Sequence, residues 1–113
     1  MKQNKIENLY TQFSGYLLEI SETEDQKNKA VIISKVLWVL LITDHDTEED
    51  IYTEMSKVVP NHDAAIGFGS VYLHKMKGNL TKKEIKNIRK HYSDTKKLDQ
   101  LKHWIDDTSN NLN

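Results

Sequence analysis

The chain has 113 residues and a formal charge of −1, with 29% charged and 37% apolar side chains and no cysteine. That length supports one hydrophobic core and not two, and the lack of cysteine excludes disulfides, thiolate metal sites and a cysteine nucleophile. The near-neutral sum hides a sorting. Residues 1–74 hold 6 lysines against 12 carboxylates, whereas residues 75–105 hold 10 lysines or arginines against 3 carboxylates. Like charge gathered in one stretch repels itself unless an opposite surface faces it, so the sorting marks an interaction surface. The opposite surface is the chain's own acidic half, an acidic partner protein or nucleic acid.

In chain order, apolar residues first recur at Ile6, Leu9, Tyr10, Phe13, Leu17 and Ile20, the stripe of an amphipathic helix. The run Ser21–Gln26 interrupts it, and Thr23 with Gln26 has the spacing of a capping box. Glu24 and Asp25 then fall in the first turn of a second helix, where the helix dipole favours them. This segment reaches Thr43 and is apolar on nearly every side from Ala30 to Ile42, so it is expected to be the central element. Its valine and isoleucine content also suits a buried strand, but its length and charged, capped start favour helix. That stretch is only 13 residues long and contains Ser34 and Lys35, whereas a bilayer span needs about 20 apolar residues. No apolar leader follows Met1–Lys5 either, so the chain reads as a cytoplasmic protein without a membrane span.

Asp44–Thr47 breaks the pattern, and Thr47 with Asp50 opens a third helix that buries Ile51, Met55 and Val58 and stops at Pro60. Asn61 or Asp63 caps a fourth, whose stripe is Ala65, Phe68, Tyr72 and Met76. Gly67 and Gly69 each cost this helix roughly 1 kcal/mol relative to alanine, which a close approach by another helix would explain. Gly78–Asn79 is a helix-end signal. Thr81 and Glu84 open a fifth helix with Ile85, Ile88 and Tyr92 inward, and after Ser93–Thr95 a sixth carries Leu98, Leu101, Trp104 and Ile105. The pattern predicts an all-α, single-domain bundle of five to six helices over residues 1–107, with a polar tail at 108–113 that frays.

No catalytic or cofactor motif stands out. Asp44, Asp46 and Glu48 alternate like the opening ligands of an EF-hand loop, but Glu49 and Met55 occupy the positions that need Gly and Glu. His45-Asp46 and His62-Asp63 are the dipeptides of HD-type phosphohydrolases, without the further His and Asp such a site needs. The five histidines are read as scattered, with no H-x-x-x-H pair and no carboxylate in i+4 register to suggest a zinc site, and Gly67-Phe68-Gly69 lacks the third glycine of a dinucleotide loop. The expectation is therefore no catalytic residue, no metal and no cofactor.

Function is weighed on the basic helix pair. Lys82, Lys83, Lys86, Arg89 and Lys90 leave the fifth helix's apolar residues for the core, and Lys96, Lys97 and Lys102 extend the charge onto the sixth. Two short helices with a three-residue turn have the outline of a helix-turn-helix. Lysine outnumbers arginine 15 to 1, however, and lysine lacks the bidentate fork that reads guanine edges.

The stretch VYLHKMKGNLTKKEIKNI (Val71 to Ile88) resembles a segment of small immunity proteins for enterocin- and pediocin-type bacteriocins, in which an apolar helix ends in a basic run before a Thr-capped helix. The opening IENLY (Ile6 to Tyr10) is similar as well. That resemblance implies an antiparallel four-helix bundle that protects a producer cell from its bacteriocin at the cytoplasmic side of a membrane sugar transporter. Taken together, the expectation is a non-enzymatic protein-binding inhibitor or immunity-type factor from a phage or mobile element, whose partner presents an acidic surface. The alternative is a DNA-binding regulator that uses the lysine-rich pair 82–106.

Overall fold

The computed structural model describes residues 5–43 and 47–112. They form six α-helices: α1 (Lys5–Glu19), α2 (Glu24–Ile42), α3 (Glu48–Val58), α4 (His62–Val71), α5 (Lys82–His91) and α6 (Thr95–Leu112). No strand occurs among the described residues, so the chain is the predicted all-α bundle.

Helix starts follow the side chains that satisfy otherwise orphaned amides. Thr23 Oγ1 accepts from the Gln26 amide at 3.2 Å, Thr47 Oγ1 from Asp50 at 3.1 Å, and Asn61 Oδ1 from Ala64 at 3.2 Å. The reciprocal box is complete at α5, where the Glu84 amide donates to Thr81 Oγ1 at 3.1 Å and the Thr81 amide to Glu84 Oε1 at 3.2 Å. At α2 the Gln26 side chain turns instead to the amide of Glu22 at 2.7 Å.

The apolar segment 30–42 is helix, and α2 packs against α1, α3, α5 and α6. Ile33, Leu37, Trp38 and Leu41 are fully buried. One stripe still faces outward, with Ile32 51% and Val39 38% exposed.

At the centre lies Tyr10, fully buried and edge-on to both Trp38 (centroids 5.4 Å apart) and Trp104 (5.5 Å). Its hydroxyl is 2.8 Å from Ser109 Oγ and 3.3 Å from Ser34 Oγ, and Ser34 Oγ donates to the Val31 carbonyl at 2.7 Å. A hydroxyl has one proton to give. Ser34 has given its own to Val31, so Tyr10 donates to Ser34 and accepts from Ser109. This chain joins α1, α2 and α6. It also accounts for the reach of α6, which runs to Leu112, past the expected bound at 107, with Ser109 fully buried.

The end of the fourth helix also departs from expectation. Beyond α4 the chain continues through a π-helical turn (Tyr72–Met76) and a 3-10 turn (Lys77–Asn79). The wider π turn keeps both Tyr72 and Met76 buried. No glycine among the described residues has positive φ. Gly78 is needed for space instead, since a Cβ there would lie 2.8 Å from the Leu73 carbonyl oxygen. Gly67 and Gly69 separate in the same way. A Cβ at Gly69 would meet the Tyr52 ring at 2.6 Å, so this glycine lets α3 approach α4, whereas a Cβ at Gly67 meets nothing within 4 Å.

Tyr10→Phe is expected to lower stability by about 1–3 kcal/mol in urea unfolding, because it strands the buried hydroxyl of Ser109 and removes the donor to Ser34, which keeps its bond to Val31. Trp38→Ala should cost roughly 3–5 kcal/mol. The two glycines should respond with opposite sign. Gly67→Ala should add about 0.5–1 kcal/mol by removing backbone freedom from the unfolded chain, and Gly69→Ala should cost about 1–3 kcal/mol by forcing α3 and α4 apart. Equal effects at the two glycines would contradict the α3–α4 packing.

Candidate functional site

The basic residues of the fifth and sixth helices do not form one face. At about 100° per residue, Lys82, Lys83, Lys86 and Lys90 share an arc of about 100° on α5, opposite the buried Ile88. All four are exposed. Among the described residues no carboxylate pairs with any of them. On α6, Lys96, Lys97 and Lys102 are exposed too. Lys102 is turned about 120° from Lys96, and Asp99 and Asp106 fall in the gap between them.

Arg89 has a different role from the lysines. It is half-buried, and its Nε donates to the Leu41 carbonyl at 2.9 Å. Leu41 is the penultimate residue of α2, so its carbonyl is among the last four that find no amide within the helix. A guanidinium at that end also faces the negative pole of the helix dipole. The chain's one arginine thus docks α5 on the end of α2. Nothing local in the sequence marks this, because the acceptor is main chain and 48 residues away.

Two further contacts fix α5. The Lys5 ammonium pairs with Glu84, and together with the Thr81 amide it holds the Glu84 carboxyl below the usual carboxylate range. At the other end burial pushes the Tyr92 phenol up, and the carboxylate of Glu7 adds to the shift. With Arg89 at the C-terminal end of α2, the lysine stripe lies far from the exposed acids Glu22, Glu24 and Asp25 near its start. The 19 residues of α2 span about 28 Å.

The other sequence candidates do not assemble a site. Asp44, His45 and Asp46 lie outside the described residues, and His62 and Asp63 are exposed at the start of α4. Among the described residues no three His, Asp or Glu side chains come close enough to hold a metal ion. The expectation that no histidine has a carboxylate in i+4 register does not hold at His103, which Asp99 and Asp107 flank at i−4 and i+4 on α6. A groove of about 480 Å³ runs beside Ile20, Val59, Pro60, Ala64, Gly67 and Phe68. On its rim Gln26 bonds the Glu22 amide, Asn61 caps α4 and Lys29 pairs with Asp25 at 3.7 Å. Those groups are committed to the fold, which leaves the groove few polar handles to orient a substrate.

The two shifted groups give opposite limbs of pH dependence. Glu84, with its lowered folded pKa, contributes stability above the ordinary carboxylate range that is lost as pH falls through it. Lys5→Gln should therefore flatten the acid limb of a stability-versus-pH curve. Tyr92, with its raised folded pKa, stays neutral in the fold while the unfolded chain ionises, so stability falls as pH climbs past the ordinary phenol range. Tyr92→Phe should make the alkaline limb shallower. Unchanged limbs in both variants would show that neither contact persists in solution.

No helix among the described residues is long and apolar enough to cross a membrane. Compared with known proteins, the chain matches no family model, no curated protein and no solved structure.

Proposed function

We propose that this chain is a non-enzymatic, cytoplasmic protein-binding factor of the inhibitor or immunity type, which seats an acidic surface of its target on the lysine stripe of α5. The observation that carries this reading is the arc of Lys82, Lys83, Lys86 and Lys90, exposed and without a carboxylate partner among the described residues. Lysines present mobile point charges that suit an acidic protein surface and steer its approach. Guanine readout in a duplex is best served by a guanidinium fork, and the one arginine is bonded to Leu41. A second helix entering a groove would also carry Asp99, Asp106 and Asp107 toward phosphates. The likeness of Val71–Ile88 to bacteriocin immunity proteins includes Lys82, Lys83 and Lys86 and fits a gene from a phage or mobile element.

The test is affinity capture with the wild type and with the Lys82→Glu, Lys86→Glu, Lys90→Glu variant. The expected result is a protein retained by the wild type and lost by the variant, with unchanged circular dichroism, since all three lysines are exposed. Binding to duplex DNA should be weak and fall at least a hundredfold between about 50 and 200 mM salt, as expected for about five phosphate contacts. Sequence-selective DNA binding that survives about 150 mM salt would replace this reading with the regulator. Equal retention of every captured protein by the variant would also overturn it.

A further inference from the structure

The outer face of α6 plays no part in the reading above. Lys96, Gln100, His103 and Asp107 recur there at i, i+4, i+7 and i+11, with Asp99 on one flank and Lys97 and Trp104 on the other. All are exposed except the half-buried Trp104, whose ring is edge-on to Tyr10. Apart from Lys97, these residues line a shallow concavity of about 540 Å³ to which no other helix contributes a lining residue. Among the described residues Lys96, Lys97, Asp99 and Asp107 make no ion pair.

The order of charge along this face is informative. Lys96 and Lys97 stand in the first turn of α6, where the helix's own dipole disfavours cations, and the acids follow toward the other end. Laid antiparallel on a second copy, the same order becomes complementary. About a two-fold axis between residues 101 and 102, Lys96 faces Asp107 of the second copy, and Asp107 faces its Lys96. Gln100 faces His103, and Lys97 comes within two residues, about 3 Å along the helix, of the other Trp104, within reach of a cation–π contact. A two-fold axis lying in the interface keeps each flank against its own counterpart, so these oppositions hold together.

We infer that the outer face of α6 is a self-complementary interface through which two copies of this chain associate as an antiparallel, isologous dimer. The 18 residues of α6 extend about 27 Å. A contact made by one such face falls at the small end of specific interfaces, so the dimer is weak and salt-sensitive. Its residues are separate from the α5 stripe, so it can fail without affecting the proposed function.

Because the chain has no cysteine, single introduced thiols report the contact directly. Two Gln100 positions would be offset by about 4.5 Å along the paired helices and two Lys96 positions by about 16 Å. Under mild oxidation Gln100→Cys should cross-link into a dimer and Lys96→Cys should not. In sedimentation velocity from about 5 to 500 μM, the wild type should shift from monomer toward dimer, less so at high salt. Lys96→Asp and Asp107→Lys should each weaken association about tenfold, and their combination should restore it to within about threefold. A monomer throughout that range, equal cross-linking at the two positions, or a double variant as weak as the single ones would each overturn the inference.

Discussion

The fold depends on the hydroxyl of Tyr10 being satisfied inside the core. A buried phenol without partners would cost a few kilocalories per mole, and the two serines that meet it lie on different helices, Ser34 on α2 and Ser109 on α6. The bonds therefore set the rotation of α6 as well as its position. With Ser109 turned inward, Leu101 and Ile105 are buried and the polar residues of α6 face water. The Lys35–Asp106 ion pair, 3.0 Å long and partly exposed, adds a second link between the same two helices, worth less because solvent screens it.

From this hub the arrangement propagates through α2. A helix with apolar residues around most of its circumference can hold several neighbours at once, and α2 holds four. Its C-terminal end is where α5 attaches, through Arg89 on Leu41, while the Lys5–Glu84 pair ties the start of α5 to the start of α1. The lysine stripe is thus carried on a helix fixed at both ends, and a partner would meet a preorganised row of charges.

Much of this was legible in the sequence, and the exceptions share a cause. Thr81 and Glu84 announce a capping box because its partners are three residues apart, and the box is present. The segment 30–42 was ambiguous between helix and strand on composition, and the capped start at Thr23 pointed correctly to helix. Arg89 read as one more basic surface residue and Ser109 as part of a polar tail, since the groups that pull them inward lie 48 and 99 residues away. Gly67 and Gly69 look alike in sequence and differ only in whether Tyr52 stands opposite. Local rules describe local partners, and long-range hydrogen bonds and close approaches lie beyond them.

The lysine stripe of α5, without a carboxylate partner among the described residues, has a consequence for how the molecule meets others. With a net charge of −1 it exerts almost no overall pull on a charged neighbour. The exposed α5 lysines nonetheless give it one local positive patch, so a nearby negative surface turns it more than it draws it. At physiological ionic strength that torque acts only within about 8 Å of contact. The protein would diffuse unguided until the last nanometre and then swing α5 toward whatever negative surface it has reached.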